Sequence, residues 1–586
     1  MLFQRLSIAA FLIIFLSNCS STQPALNTQL DWTTPFEKNT NYTPTHSEVV
    51  AYYERLSKAF PNQLKFVKSG MTDVGRPLHT GILSKDGDFT AKGNKAKGKC
   101  ILLINNAIHP GEPTGVDATM MLIRDLLTKK EMQPYLEHLT IVFIPMYNIG
   151  GALNRGGFSR ANQEGPEEHG FRGNVRNYDL NRDFIKCDTK NAQSFNQIFT
   201  EWRPHIFIDN HTSNGADYQY IMTLIPTQHN KLNPILSFYL QGKMTPRLFE
   251  EMAKTDYEMT PYVYARNTPD DGIMGFLDLP RYSSGYAALF NTLSFMPEAH
   301  MLKPYEQRVK GTYAFMESML KLVKDDHEII IKNKEIADEV TKLQTTFDLN
   351  WKLNNKVKDE ISFKGYAAKY KPSLVSGKDR LYYDRNEPYT KKIPFLNTYK
   401  PTTTVQKPTA YIIPQGYEKV IERLKWNGVE MVQLIKDEVK EVEMYYIKDY
   451  KTGDSPYEGH FLHKEVTVEK RVQKVQYYKG DYLVKTNQVE NQYIMHTLEP
   501  MSADAFFAWN FFDAILQQKE YFSSYVFEDV AAELLEKDAD LKTRFEAKKA
   551  SDEKFAESAY HQLLFIYRNS PHYETTHNRY PIGRLF

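Results

Sequence analysis

The sequence has few cysteines and almost no net charge, and each shortage excludes a class of protein. Only Cys19, Cys100 and Cys187 occur among 586 residues. Three thiols are too few for a disulfide framework or a thiolate zinc site, so the fold must depend on its apolar core. The 73 Lys and Arg residues nearly balance the 72 Asp and Glu residues, for a net charge of +1. No broad positive field is available, and we expect no nucleic-acid partner.

An apolar run long enough to cross a membrane is also missing near the start of the chain. Residues 6–16 are apolar, whereas a spanning helix needs about 20 residues. This run follows Arg5 and precedes a polar segment with Cys19, so residues 1–19 are predicted to be an export signal. The segment resembles a bacterial lipoprotein signal, although Asn18 departs from the small residue usual before the lipidated cysteine. The resemblance implies a lipid anchor at Cys19 in the bacterial cell envelope, at the periplasm or outer membrane, with plain secretion as the alternative.

The length of the chain predicts more than one domain. Residues 20–45 are polar and are predicted to be a tether. Residues 46–322 alternate short apolar runs with amphipathic stretches, which is typical of an α/β domain. A polar helix at 323–345 is predicted to link it to a β-rich domain at 346–500, where Tyr, Val and Lys alternate, and to a helical region at 501–586.

One predicted buried strand, 100–106, leads directly into His109-Pro110-Gly111-Glu112. Imidazole nitrogen and carboxylate oxygen are ligands of Zn²⁺, and a catalytic zinc site needs three protein ligands and an open position for water. The third ligand is expected at another strand end. His211 fits, because it follows the apolar run 205–209 and precedes a loop.

The H-x-x-E motif is weak by itself, because a chain with 16 His and 72 acidic residues contains roughly one by chance. A solvated loop is the alternative. Glu298 strengthens the case, because it too is predicted just beyond an apolar strand, where ligands bind in open α/β sheets. Near a metal-bound water its carboxylate could act as general base and then general acid; the alternative is an exposed side chain.

Between Asn154 and Phe184 the chain has five arginines and no lysine. A planar guanidinium matches a carboxylate as lysine does not, so the loop predicts a binding site for an anionic substrate group. The alternative is a loop of surface ion pairs, since five acidic residues in the same stretch balance the charge.

In this order, His109-x-x-Glu112, Asp179-Leu-Asn181-Arg182, His211 and Glu298 resemble the zinc carboxypeptidases of the carboxypeptidase A type, the funnelin metallopeptidases, over about residues 45–322. The resemblance implies a mixed, mostly parallel sheet flanked by helices. It also implies a zinc metallocarboxypeptidase with one Zn²⁺ per chain, which hydrolyses the C-terminal bond of peptides or proteins with a free C-terminus by means of zinc-activated water.

The resemblance also assigns residue roles. His109, Glu112 and His211 would hold the zinc, and Glu298 would be the general base. Asp179 would accept a hydrogen bond from the ring nitrogen of His109 that faces away from the metal.

The remaining roles concern the substrate. Asn181 and Arg182 would bind its terminal carboxylate, and Arg160 would polarise the scissile carbonyl, with Arg155 and Arg172 as alternatives. Tyr282 would close over the substrate, although Tyr286 is also a candidate and one of the two is expected in the core. The chain has Asn-Ile-Gly-Gly at 148–151 where the family often has Asn-Pro-Asp-Gly, and the side-chain preference is not predicted.

Two other functions remain open at the level of sequence. A zinc amidase or endopeptidase acting on cell-wall peptides, or a deacylase of N-acyl amino acids, would use the same metal ligands. A surface lipoprotein without catalysis would bind a partner through the Tyr-rich C-terminal half and would hold no metal.

Overall fold

The structure is a computed structural model that describes residues 31–586. The predicted export signal at 1–19, including Cys19, and residues 20–30 of the predicted tether lie outside the described residues. Thr34–Phe586 form one compact unit. Within the described part of the chain, no helix combines the length and the apolar character that a membrane span requires.

Within the described residues, the N-terminal region has eleven strands and ten α-helices. The strands are β1 (Leu64–Met71), β2 (Pro77–Leu83), β3 (Cys100–Asn105), β4 (Leu139–Ile144), β5 (Ile206–Asp209), β6 (His211–Ser213), β7 (Met222–Pro226), β8 (Met259–Pro261), β9 (Tyr264–Ala265), β10 (Ile273–Met274) and β11 (Leu293–His300). The helices are α1 (Pro35–Lys38), α2 (His46–Ala59), α3 (Ala91–Ala96), α4 (Thr114–Thr128), α5 (Ile149–Leu153), α6 (Lys190–Trp202), α7 (Pro234–Tyr239), α8 (Thr245–Ala253), α9 (Ser283–Ala288) and α10 (Tyr305–Leu343).

The central sheet confirms the predicted mixed α/β architecture. Its strand order is β1-β2-β4-β3-β5-β11-β7-β8, with β6 paired to β11. The strands β4, β3, β5 and β11 run parallel, β1 and β2 pair antiparallel to their neighbours, and β7 is antiparallel to β11 but parallel to β8. Every residue of β3 and β4 is buried, because helices cover both faces of the parallel centre. The carboxyl ends of these central strands therefore meet at one edge of the sheet.

The C-terminal region is rich in strands, as predicted. These are β12 (Thr346–Leu353), β13 (Asp359–Pro372), β14 (Asp379–Leu396), β15 (Tyr399–Gln406), β16 (Ala410–Ile413), β17 (Val432–Gln433), β18 (Glu438–Thr452), β19 (His463–Tyr477), β20 (Tyr482–Lys485) and β21 (Gly583–Leu585). Its helices are α11 (Glu418–Trp426), α12 (Asn491–Leu498), α13 (Ser524–Lys537), α14 (Ala539–Ser551), α15 (Glu553–Ala556) and α16 (Ala559–Arg568). Turns and a short 3₁₀ helix occupy most of 501–523, so the α-helical part begins later than predicted.

The N-terminal and C-terminal regions share structure. Strand β14 pairs with β10 of the N-terminal region, with Ile273 opposite Phe395. Phe290 stacks on Tyr493 with ring centroids 5.6 Å apart. The aromatic residues at 506, 507, 509 and 512 are buried in the same core. The C-terminal region is therefore packed onto the N-terminal region through an apolar interior, and Cys100 and Cys187 are buried free thiols in that assembly.

The helix predicted as a linker at 323–345 is the second half of α10, a continuous helix of 39 residues. This segment is polar in overall composition, but one face of the helix carries a regular row of apolar residues. Val323, Ile330 and Ala337 recur every seven residues and are all buried. The segment is therefore a packed part of the core and not a spacer between domains.

The predicted tether also ends earlier than position 45. Phe36 in α1 is buried and meets the ring of Tyr305 edge to face at 5.9 Å. The hydroxyl of Thr43 donates to Asp117 Oδ2 at 2.6 Å. A short helix with a capping box at Thr34 explains the difference, because it fixes the chain where composition alone indicated a loose segment.

Candidate active site

Two of the predicted metal ligands lie in the turn that follows β3. The amide of Glu112 donates to the carbonyl of His109 at 2.8 Å, which closes the turn just before α4. A side chain at Gly111 would meet Arg160, because a Cβ there would lie 2.6 Å from Arg160 Cδ. The turn is therefore tight enough to present both ligand side chains on one side.

The third predicted ligand, His211, is brought to the same place by the sheet. It begins β6, directly after β5, and lies opposite Glu298 of β11. His211 Nδ1 is 3.1 Å from Glu112 Oε2, and His109 Nδ1 is 3.2 Å from Glu112 Oε1. One ligand atom from each of the three residues lies within 4.8 Å of the others.

The donor set fits zinc. His109 Nδ1 is buried and makes no well-aligned hydrogen bond, although Glu112 Oε1 lies 3.2 Å away, and this is a costly state for a polar atom unless it serves as a ligand. Two imidazole nitrogens and a carboxylate are a known catalytic zinc set that leaves a fourth position open. His109, Glu112 and His211 are therefore the residues that would hold the ion.

Each histidine is oriented by a carboxylate on its outer nitrogen. His109 Nε2 donates to Asp179 Oδ1 at 2.8 Å, and His211 Nε2 donates to Asp209 Oδ2 at 2.9 Å. Both bonds leave Nδ1 as the metal-facing nitrogen, and such partners fix the tautomer and raise ligand basicity. Asp209 was missed by the sequence analysis, although a carboxylate two residues before a ligand histidine was an available signal.

Glu298 lies within β11 and not beyond it, which corrects the predicted position. Strand β11 continues to His300 because its end pairs with β6 and β7. Burial raises the pKa of Glu298 to about 7; the neighbouring His211 opposes the shift and Glu112 adds to it. A carboxyl group that titrates near neutral pH is suited to proton transfer in both directions.

Two arginines converge on the carboxylate of Glu112. Arg160 Nη1 donates to Glu112 Oε1 at 2.9 Å and Nη2 to the carbonyl of Thr212 at 3.2 Å. Arg172 Nη1 reaches the same Oε1 at 3.4 Å and its Nε donates to Asp179 Oδ2 at 3.0 Å. Burial opposes ionisation of Arg172, but the carboxylates of Asp179, Glu112 and Glu298 raise its pKa.

The third candidate arginine is used elsewhere. Arg155 Nη2 donates to the carbonyl of Thr43 at 2.6 Å, and its guanidinium lies over the ring of Tyr42. It holds the N-terminal segment in place. Arg160 and Arg172 are therefore the two arginines available for a substrate carbonyl.

The predicted carboxylate-binding residues lie beside Tyr282. The guanidinium of Arg182 is 4.5 Å from the centre of the Tyr282 ring. Asn181 Oδ1 accepts a hydrogen bond from the amide of Ser283 at 3.0 Å, so its amide nitrogen is the group that remains for a ligand. Tyr286 belongs to the core, where its buried hydroxyl donates to Asn427 Oδ1 at 2.6 Å. Of the two tyrosines considered from the sequence, only Tyr282 lines the cavity.

A cavity of about 400 Å³ joins these groups. We call it the catalytic cavity, and every predicted site residue except Asp179 lines it: His109, Glu112, His211, Glu298, Arg160, Asn181, Arg182 and Tyr282. Tyr262 also lines it; burial raises the pKa of Tyr262, and the nearby charge of Glu298 raises it further. Sequence gave no signal for Tyr262, because it lies in an irregular segment between short strands.

The comparisons with known proteins agree with this site. Residues 49–244 match the family model described as zinc carboxypeptidase. "Carboxypeptidase 2" of Trichophyton rubrum is 21% identical over 488 residues, covering 79% of this chain and 83% of the relative. "Carboxypeptidase 2" of Trichophyton tonsurans is 21% identical over 427 residues, covering 69% and 72%.

Solved structures are similar over about half of the chain. A metallo-carboxypeptidase from Burkholderia cenocepacia superposes with a TM-score of 0.37 at 17% identity, covering 49% of this chain and 71% of that one. Carboxypeptidase A from Helicoverpa armigera gives 0.35 at 16% identity, covering 49% and 74%.

The ligand set and the matched region define a zinc metallopeptidase. More narrowly, residues 49–244 are similar to the zinc carboxypeptidases, and His109, Glu112 and His211 are grouped as a metal site. The predicted metallocarboxypeptidase function and the predicted zinc cofactor are thus confirmed.

Proposed function

We propose that the protein removes single residues from the C-terminal end of peptides, with the residue roles set out below. One observation carries the proposal: the three-residue metal site and Arg182 line the same cavity. The guanidinium of Arg182 can bind the free carboxylate of a substrate there. Zinc held at such a site lowers the pKa of a bound water and polarises a carbonyl oxygen.

Glu298 is the proposed general base and acid. It accepts a proton from the attacking water and passes it to the amine nitrogen that leaves. Its partly buried position on β11 supports this role, because a carboxyl group with a pKa of about 7 can both accept and return a proton near neutral pH.

Arg160 and Arg172 are the proposed donors to the developing oxyanion. Both guanidinium groups border Glu112, so both lie next to the metal site and within the catalytic cavity. Fixed donors aimed at a developing negative charge lower the barrier because they need no reorganisation during the reaction. The proposal thus includes both Arg160 and Arg172, the latter having been an alternative to Arg160 in the sequence analysis.

Arg182, Asn181 and Tyr282 are the proposed binding group for the terminal carboxylate. Arg182 donates to the carbonyl of Asn181 at 2.8 Å and rests on the face of Tyr282, which fixes its plane. A guanidinium held in this way has further N–H groups with which to bind a carboxylate.

A second cavity supports a preference for a large apolar terminal side chain. It has a volume of about 230 Å³ and shares Ile225, Tyr262 and Phe276 with the catalytic cavity. Phe276 packs edge to face on Tyr282 at 5.1 Å, so the second cavity begins next to the proposed carboxylate site. Leu224 and Phe395 add further apolar wall, the latter from the C-terminal region.

The test is a set of short peptides that end in Phe, Lys or Glu, each with a free or an amidated C-terminus. We expect the free acid ending in Phe to be the best substrate, and amidation to lower kcat/KM by at least about tenfold, because a hydrogen-bonded charge contributes about 1.5–3 kcal/mol. Rates are measured by chromatography of the released residue or amide.

The same panel separates the rival activities. An endopeptidase or amidase would cut the amidated peptides as fast as the free acids, which would contradict the proposal. An N-acyl amino acid deacylase would leave all of these peptides intact.

We also propose that the chain is anchored to a bacterial membrane by a lipid on Cys19. The basic, apolar and cysteine-containing order of residues 1–19 supports this proposal. In a bacterial expression host, the wild type should sediment with membranes and Cys19→Ser should not. Recovery of the wild type in the supernatant after membrane sedimentation would contradict the anchor.

A further inference from the structure

A turn from the C-terminal region reaches the catalytic site. It lies in the loop between β18 and β19, where the amide of Tyr457 donates to the carbonyl of His460 at 2.7 Å and the amide of His460 returns a bond of 3.1 Å. We call residues 457–460 the positioning turn. Its two central residues, Glu458 and Gly459, have φ values of +51° and +80°. A two-residue hairpin turn of type I′ requires a left-handed backbone conformation at both central residues.

The positioning turn fits closely against the loop that carries Asn181 and Arg182. Glu458 Oε2 accepts a hydrogen bond from the backbone amide of Asp179 at 2.8 Å. At the next residue, a Cβ on Gly459 would lie 2.4 Å from the hydroxyl of Tyr178, so only glycine fits. His460 Nε2 lies 2.7 Å from Asp188 Oδ2 on the far side of the same loop.

Asp179 is the residue on which three parts of the site depend. Its Oδ1 accepts from His109 Nε2 at 2.8 Å and from the amide of Asn181 at 2.9 Å. Its Oδ2 accepts from Arg172 Nε at 3.0 Å. A shift of Asp179 would therefore move a metal ligand, the carboxylate-binding pair and an oxyanion donor together.

The position of the turn is fixed by buried aromatic packing. Tyr457 stacks on Trp509 with centroids 6.1 Å apart, and His460 meets the same ring edge to face at 5.5 Å. Trp509 is fully buried. Arg281 lies 5.1 Å over Trp509 and pairs with Asp504 at 2.9 Å, just before Tyr282 in the chain.

A positive φ at a residue other than glycine persists only when its surroundings hold it. Glu458 has such a conformation, and what it gains is one hydrogen bond to the backbone of the catalytic domain. The contact of the positioning turn with the catalytic domain is thus a specific hydrogen bond and not only surface packing between two regions.

We infer that the positioning turn, through Glu458, holds Asp179 in the orientation that His109, Asn181 and Arg172 need, so that the C-terminal region takes part in building the active site. This inference rests on the proposed function for its substrate, although not for its effect on the metal. Glu458 is a positioning residue, since it acts through Asp179.

The experiment compares Glu458→Ala with Glu458→Gln in the full chain. Alanine removes the acceptor, and we expect zinc to be released about tenfold faster to a chromogenic chelator and KM for the free-acid peptide to rise by about tenfold, the lower end of the effect of outer-shell partners. Glutamine keeps a carbonyl oxygen that can accept from Asp179, so both values should return to within about twofold of the wild type.

Two further variants complete the design. Asp454→Ala changes an exposed carboxylate in the same loop and should leave both values unchanged. Gly459→Ala should reproduce the effect of Glu458→Ala, since its Cβ forces the turn away from Tyr178. Gly459→Ala also serves as the test if thermal unfolding shows that Glu458→Ala does not fold.

Wild-type zinc release and KM in a folded Glu458→Ala would overturn the inference, as would an equal loss in Glu458→Gln. The zinc measurement needs no substrate. If the wild type cleaves none of the peptides, the proposed function fails while the role of Glu458 is still decided.

Discussion

Replacing Glu298 by glutamine is expected to lower kcat by about 10²–10⁴-fold, the range for loss of a positioned general base, while zinc content stays at one per chain. Glutamine has the size of glutamate but cannot accept the proton of the attacking water. Zinc should remain because the three grouped ligands are His109, Glu112 and His211. The measurement combines single-substrate kinetics on the free-acid peptide with elemental analysis of the purified protein.

Glu167→Gln is the matched control, because Glu167 is an exposed carboxylate in the loop that also carries Arg160. It should have wild-type kcat and zinc content. Full turnover in Glu298→Gln would remove the assignment of the base. Loss of zinc from the same variant would instead place Glu298 among the ligands.

Replacing Glu112 by alanine is expected to have the second large effect, a loss of zinc affinity of more than about 100-fold, since even outer-shell partners contribute about 10–100-fold. The change removes the one negatively charged ligand and leaves Arg160 and Arg172 facing the site without the carboxylate that they share. Affinity is measured by competition with a chelator, and turnover should be lost in parallel.

The wild type provides the companion measurement. Prolonged dialysis against a chelator should abolish hydrolysis, and stoichiometric zinc should restore it. The zinc affinity of Asp209→Asn should fall between those of the wild type and Glu112→Ala, because the change weakens the orientation of His211 without removing a ligand. Activity that survives in metal-free wild type would contradict a zinc-dependent reaction.

The metal site could be predicted from the sequence because its residues follow local rules. His109 and His211 each come soon after a short, fully buried strand, and the carboxyl ends of parallel strands meet at one edge. Periodicity and composition are sufficient to find such positions. Asp209 belongs to the same pattern, because it ends β5 two residues before His211.

The contributions of the C-terminal region could not be predicted. Glu458 is 279 residues from Asp179 along the chain, and no local pattern relates a turn residue to a distant backbone amide. The packing of α10 was missed for a related reason, because Lys and Glu on its exposed face outweighed the stripe at Val323, Ile330 and Ala337. Both cases depend on tertiary contacts that composition does not encode.

Helix α10 touches both regions of the protein along its length. Its start packs against α1, where Tyr305 meets Phe36, and near its end the carbonyl of Thr341 accepts from Asn491 at 3.1 Å. Because one continuous helix packs in both regions, we expect the two regions to unfold together. A substitution at Asn491, far from the metal site, would therefore lower the free energy of unfolding of the region that holds the zinc ligands.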